Sequence, residues 1–190
     1  AGVPTVVYDD WNRAGSARAW WLLTTAGVKD VRILDGGLSA WVDSGGELET
    51  GFTTVGLGDV TITYRDLYQG ELPTLTADRT AELAGPLLDA RAPERFRGER
   101  EPVDPVAGHI PGARNTPSTS VLTVDGTFRT DGELQEFFTD RGVDASTGAG
   151  AYCGSGVTAA VLIAALQMIG LEAQLFPGSW SQWCAEPDRP

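Results

Sequence analysis

Cys153 lies in the stretch Tyr152-Cys153-Gly154-Ser155-Gly156-Val157-Thr158-Ala159, where small and hydroxyl-bearing residues follow the thiol at once. By propensity this segment reads as a strand end, a glycine-rich turn and the first turn of a helix. Such a turn lets successive backbone N–H groups face inward, and a helix N-terminus can favour negative charge by up to ~2 kcal/mol. The spacing therefore predicts an anion cradle around a sulfur that reacts as a thiolate. Cys153 is the expected nucleophile, and Gly154, Ser155, Gly156, Val157 and Thr158 form the expected cradle. A lone cysteine is ordinarily a small buried hydrophobe, so the context and not the residue argues for chemistry. Cys184, the other cysteine, has no such context and is assigned to packing.

The elements that would carry this turn occur twice. Val6-Val7-Tyr8-Asp9 matches Ala149-Gly150-Ala151-Tyr152-Cys153, and Asp35-Gly36-Gly37-Leu38-Ser39-Ala40-Trp41 matches Pro177-Gly178-Ser179-Trp180-Ser181-Gln182-Trp183. Each copy predicts a strand ending at Tyr8 or Tyr152, then an apolar helix over 16–26 or 158–169 that stops at Gly27 or Gly170. A second strand follows over 31–34 or 173–176, which is βαβ grammar. Asp9 stands where the second copy has Cys153. The first copy is two residues longer between that position and Trp41 or Trp183, which predicts a longer loop. Trp20, Trp21, Trp41, Trp180 and Trp183 are expected in the core or between the copies.

Only the second copy has an upstream half: a buried strand over 87–91, a tight turn at Gly108-His109-Ile110-Pro111-Gly112-Ala113 and a capped helix over 131–141. The expected chain is thus α/β, one complete domain plus the C-terminal part of a second similar one. Residues 1–52 form the partial domain, 53–76 an interdomain linker and 77–190 the complete domain. The start of the first domain is expected to be missing or to come from a separate chain.

Composition limits the partners. A net charge of −12 argues against nucleic acid and anionic membrane surfaces, which need concentrated Lys and Arg. The uncharged stretch from Ala145 to Leu171 is broken by glycines, and the apolar run Ala159 to Leu166 is too short to span a bilayer. Two cysteines in a chain with a full core fit a reducing, cytoplasmic setting.

Asp89-Ala90-Arg91, Glu94-Arg95-Phe96-Arg97-Gly98, the Gly108–Ala113 turn, the Cys153–Ala159 loop and Pro177–Trp183 together resemble the tandem-domain rhodaneses, the thiosulfate and 3-mercaptopyruvate sulfurtransferases. The resemblance covers essentially the whole chain. It implies a rhodanese-like open parallel sheet flanked by helices, and a catalytically silent first domain with Asp9 at the cysteine position. It implies double displacement without metal or organic cofactor. Cys153 would take a sulfane sulfur from 3-mercaptopyruvate or thiosulfate as a persulfide and pass it to cyanide, a small thiol or thioredoxin. Arg95 matches the arginine that grips the anionic donor. Gly154 and Ser155 follow the mercaptopyruvate-preferring pattern, whereas Val103 occupies the place of a second donor-binding arginine. His109, the only histidine, is structural in relatives. A cysteine phosphatase would need an arginine six residues after Cys153, where Ala159 stands. A silent rhodanese-type binding or regulatory module is the other alternative.

Overall fold

The computed structural model describes residues 4–54, 56–58, 60–187 and 189. The outermost residues of the predicted units and two linker positions, Val55 and Asp59, lie outside them. The reactive turn grows from β5 (Ala149–Tyr152), all of whose residues are buried. β5 lies inside a four-stranded sheet of order β4-β3-β5-β6, built with β3 (Leu87–Asp89), β4 (Arg114–Asn115) and β6 (Ala173–Leu175). Every pairing is parallel, with Asp89 opposite Tyr152 and Ala151 opposite Leu175. A strand covered on both faces needs small or apolar residues throughout, which Ala-Gly-Ala-Tyr supplies. The chain turns one way from β3 to β4 and the other way to β5, so the C-terminal ends of β3 and β5 open onto a crevice, the usual ligand position in open α/β sheets.

The first copy forms its own parallel pair, β1 (Thr5–Val7) with β2 (Val31–Ile33), joined through α1 (Ala14–Thr25). It precedes α2 (Gly37–Asp43), as β6 precedes α7 (Ser179–Trp183). Between the two sheets lies α6 (Ala159–Met168), whose residues Ala159 to Leu166 are all buried. A helix apolar on every side must be covered on every side. α6 packs on β5, β6, α5 (Asp131–Thr139) and α1, so Ala17, Trp20 and Trp21 of the first copy share one core with Leu162 and Leu166 of the second, while the short α4 (Pro93–Phe96) after β3 carries Arg95. The described residues between 47 and 73 run over the surface, tacked to the end of α1 by Thr63 and Tyr64 N–H bonds to the Ala26 carbonyl and a Glu71 N–H bond to Thr25, before the buried Thr74 and Leu75 meet β6 and lead into α3 (Ala77–Ala81).

Two details differ from the expectation. Trp41 is 44% exposed, its indole N–H bonded to the Glu47 carbonyl, whereas Trp180 and Trp183 are buried. The reason is the surroundings: Trp180 and Trp183 sit in an apolar cluster with Leu75, Leu87, Ile110 and Tyr152, whereas Trp41 belongs to neither apolar cluster of the core. The two extra residues of the first copy are also divided. Asp9 to Gly27 spans 18 residues against 17 from Cys153 to Gly170, and the other extra residue lies in the turn from Gly27 to Val31, so the loop alone is not longer by two.

The capped helix is α5 (Asp131–Thr139), shorter than predicted at its C-terminal end. It has a reciprocal capping box: the Glu133 N–H donates to Thr130 Oγ1, and the Glu133 carboxylate accepts from the Thr130 N–H. No described helix is long and apolar enough to cross a membrane. Thr130→Ala is expected to lower stability by about 1 kcal/mol in chemical denaturation, since the cap satisfies otherwise orphaned N–H groups. A loss below about 0.3 kcal/mol would show that the box does not anchor α5.

Candidate active site

Cys153 leaves the sheet at the end of β5, and α7 fastens its backbone on both sides. The Cys153 N–H donates to Ser179 Oγ at 3.1 Å, and the Cys153 carbonyl accepts from the Trp180 N–H at 3.0 Å. The Gly154 carbonyl accepts from both the Ser181 N–H, at 2.9 Å, and its hydroxyl, at 2.8 Å. Ser179 has φ +54°, left-handed backbone that costs a residue with a side chain, at the position where the first copy has Gly37. Its hydroxyl bridges Cys153 N–H and the Phe176 carbonyl, a role glycine could not fill.

The loop then turns back over the sulfur. The Gly156 N–H donates to Cys153 Sγ at 3.1 Å. Gly156 has φ +77°, and a Cβ there would lie 2.4 Å from the Pro177 carbonyl oxygen, so glycine is required. Cys153, Gly154, Ser155, Val157, Thr158 and Arg95 line one cleft of about 570 Å³, and Gly156 lies beneath it. Trp11, Asn12 and Ala14 of the first copy also line it. Val103 lies at this cleft, 75% exposed, so an apolar side chain stands where the resemblance implies a second arginine.

Beside the thiol runs a chain of charges that sequence reading did not assemble. Asp89 and Arg91 form a buried pair at 2.6 Å, and Arg91 Nη2 also donates to the Gly108 carbonyl at 2.8 Å. Arg91 Nη1 lies 3.5 Å from Glu101, which in turn holds Arg95: Nη2 at 2.5 Å and Nε at 3.3 Å. Asp104 approaches Arg95 Nη2 at 3.5 Å. Burial pushes the Glu101 carboxyl up, but the Arg95 guanidinium and the amides of Asp104 and Val103 outweigh it, leaving it below the ordinary value.

His109 is outside this cleft. Its Nδ1 lies 2.8 Å from the Phe96 carbonyl, and its ring stacks on Phe96 with centroids 3.9 Å apart. Tyr152 braces the same turn, accepting from the Ile110 N–H at 3.0 Å; burial and then Asp89 push its phenol far up, so it stays protonated. Arg97 points to solvent and pairs with Glu99. Cys184 packs against the apolar cluster around Trp180 and Trp183.

The first copy has the same cradle, already filled. The Asp9 carboxylate accepts from the Trp11 N–H at 3.1 Å, the Gly15 N–H at 3.0 Å and the Ser16 hydroxyl at 2.6 Å. Burial raises the Asp9 carboxyl, and these donors together lower it below its usual range.

Residues 1–44 and 72–186 match the family described as Rhodanese-like domain. The chain belongs to that family. This rhodanese-like chain is 61% identical over 188 residues to "Putative thiosulfate sulfurtransferase SseB" of Mycobacterium tuberculosis strain H37Rv, and 36% identical over 191 residues to the 3-mercaptopyruvate sulfurtransferase of Escherichia coli K12. The matches cover 99% and 97% of the chain but only 66% of each relative, so the chain spans a little under two thirds of their length. The crystal structure of SseA from Escherichia coli, described as a 3-mercaptopyruvate sulfotransferase, superposes with a TM-score of 0.77 at 36% identity, covering 94% of the chain and 67% of SseA. The anaerobic ergothioneine biosynthesis enzyme of Chlorobium limicola shares the fold, with a TM-score of 0.82 at 22% identity over 98% of the chain and 50% of that enzyme.

Sequence motifs located the rhodanese-like loop and Arg95, but not Ser179 as the holder of Cys153 N–H, nor Glu101 as the partner of Arg95. The exchange of Gly37 for Ser179 between the copies was the available signal for the first. Nothing in the spacing marked the second. Because the folded-state pKa of Glu101 lies below its unfolded value, its contribution to stability is present above the ordinary value of 4.5 and is lost as pH falls through the lowered one. Between about pH 5 and pH 3 the wild type is therefore expected to lose more stability than Glu101→Gln, read from urea midpoints. Equal losses would contradict the ionic role of Glu101.

Proposed function

We propose that the chain carries a sulfurtransferase site in which Cys153 takes a sulfane sulfur from 3-mercaptopyruvate or thiosulfate and passes it to cyanide or a thiol. The observation that supports this most is the placement of Cys153 Sγ. It lies at the C-terminal edge of the sheet, bonded to the Gly156 N–H, under a loop whose small residues leave the backbone free to face an anion. Among relatives, both thiosulfate and 3-mercaptopyruvate sulfurtransferases are named.

In the first half-reaction the Cys153 thiolate attacks the outer sulfur of thiosulfate. A new S–S bond forms, the old one breaks, and sulfite leaves with the electron pair. With 3-mercaptopyruvate the C–S bond breaks instead. The electron pair passes into the enolate of pyruvate, which takes up the proton that the donor sulfur brought. Both routes leave the Cys153 persulfide anion, which the Gly154–Thr158 amides would hold by the electrostatic logic of an oxyanion hole. In the second half-reaction cyanide or a thiolate attacks the terminal sulfur, and the Cys153 thiolate leaves. Thioredoxin is a further acceptor of the thiol class.

Arg95 is read as the cation that receives the donor's carboxylate or sulfonate. Gly154 and Ser155 favour 3-mercaptopyruvate, and Val103 weakens that preference. Residues 1–52 are read as part of a silent copy, with the Asp9 carboxylate filling its own cradle, and residues 77–190 as the catalytic domain. Cys153 and Cys184 are both free thiols, which suits the proposed cytoplasmic setting.

Intact-mass spectrometry after exposure to 3-mercaptopyruvate and, separately, thiosulfate tests the reading. A gain of one sulfur atom that cyanide removes, and that is absent in Cys153→Ser, is expected. No gain with either donor, or a gain that persists in Cys153→Ser, would overturn it.

A further inference from the structure

The donor-binding role read for Arg95 requires its guanidinium to face the cleft, yet the residue also belongs to an ionic chain of three carboxylates and two guanidiniums. Glu101 occupies one edge of the Arg95 guanidinium, through Nε and Nη2. The remaining nitrogen, Nη1, lies against the reactive loop: a Cβ on Gly154 would be 3.2 Å from it. Among the described residues Nη1 has no acceptor.

Glu101 is itself fixed. Its side chain is 4% exposed, Oε1 accepts the Val103 and Asp104 N–H groups at 3.2 Å each, and Oε2 faces Arg91. A carboxylate held this way is a preset anchor and not a mobile competitor for the donor's place. We propose that Glu101 is a positioning residue: by holding the Nε/Nη2 edge of Arg95 it turns Nη1 toward the Cys153 loop and so sets where a donor's negative charge is received. Gly154 completes the arrangement, because any side chain there would meet the guanidinium.

This proposal rests on the reading of Arg95 as the donor-binding cation. Its rival is that Glu101 only offsets positive charge near the thiol. The two predict opposite signs. Removing a bystander carboxylate makes the cleft more positive, whereas removing an anchor releases the cation from the loop.

The test compares the alkylation rates of Cys153 by iodoacetate, an anion, and iodoacetamide, its neutral counterpart, in a Cys184→Ser background. Changes in thiol access or packing move both rates together and cancel in their ratio. Arg95→Ala is expected to lower the iodoacetate to iodoacetamide ratio by about fivefold or more, given the strength of charge pairs at a partly buried site. Glu101→Ala should lower it in the same direction, and the double variant should fall no further than Arg95→Ala alone, since both changes remove one arrangement. Glu101→Asp keeps the charge but shortens the reach to Arg95, so its ratio should also fall, whereas a carboxylate that only offsets charge would leave it unchanged; this keeps the test decisive if Glu101→Ala does not fold.

An unchanged or raised ratio in Glu101→Ala, or in Glu101→Asp, would overturn the proposal. An unchanged ratio in Arg95→Ala would instead sink the reading of Arg95 on which it rests. Neither outcome depends on sulfur transfer being observed.

Discussion

The hydrogen bonds between the Cys153–Gly154 backbone and the 179–181 turn carry the weight of this site. Ser179 Oγ, the Trp180 N–H and the paired donors of Ser181 fix three consecutive peptide groups where a strand becomes a loop. With those groups tied outward to α7, the following residues are left to fold back over the sulfur, and Gly156 does so with its N–H 3.1 Å from Sγ. The clamp in turn needs α7 to be immobile, which the burial of Trp180 and Trp183 provides, and the Trp180 indole N–H extends it to the 101–108 segment through the Val106 carbonyl at 2.8 Å. Packing, loop geometry and the charged wall are therefore one mechanical unit. The left-handed backbone at Ser179 is the strained element within it.

The repeat explains what is chemical and what is architectural. Both copies build a strand, a cradle and a helix in the same order, and both cradles surround an anion or a group that could become one. In the first copy the Asp9 carboxylate is that anion and is permanently satisfied by Trp11, Gly15 and Ser16. In the second copy the cradle opens onto a cleft and ends in a thiol, which on the proposed reading is where a transferable sulfur anion forms. The first copy still contributes: α1 covers the apolar α6, and Trp11, Asn12 and Ala14 wall the cleft.

Much of this was legible because local signals and the fold agree. Glycines at 27 and 170 ended the two helices, the apolar run through Ala159–Leu166 marked a helix, and the stretch ending at Tyr152 read as a strand before the cysteine turn; the burial of both on every side emerged from the fold. Arg95 was picked out through its motif, and it lines the same cleft as Cys153. What stayed hidden depends on contacts between residues distant in sequence. The bond from Ser179 to Cys153 crosses 26 residues, and the burial of Trp180 and Trp183, which Trp41 does not share, depends on Leu75, Leu87 and Ile110 far upstream. Glu101 is only six residues from Arg95, but its sequence, Glu-Pro-Val-Asp, looks like an ordinary acidic surface turn. Only the folding of that turn back over the guanidinium makes it part of the site.

The most direct test of the account is a crystal structure of the chain after treatment with 3-mercaptopyruvate or thiosulfate. The account predicts a second sulfur bonded to Cys153 Sγ, lying inside the loop within hydrogen-bonding distance of the 154–158 amides, with Ser179 and Trp180 still holding the Cys153 backbone. A sulfur directed away from those amides, or carried by Cys184 while Cys153 remains unmodified, would contradict it.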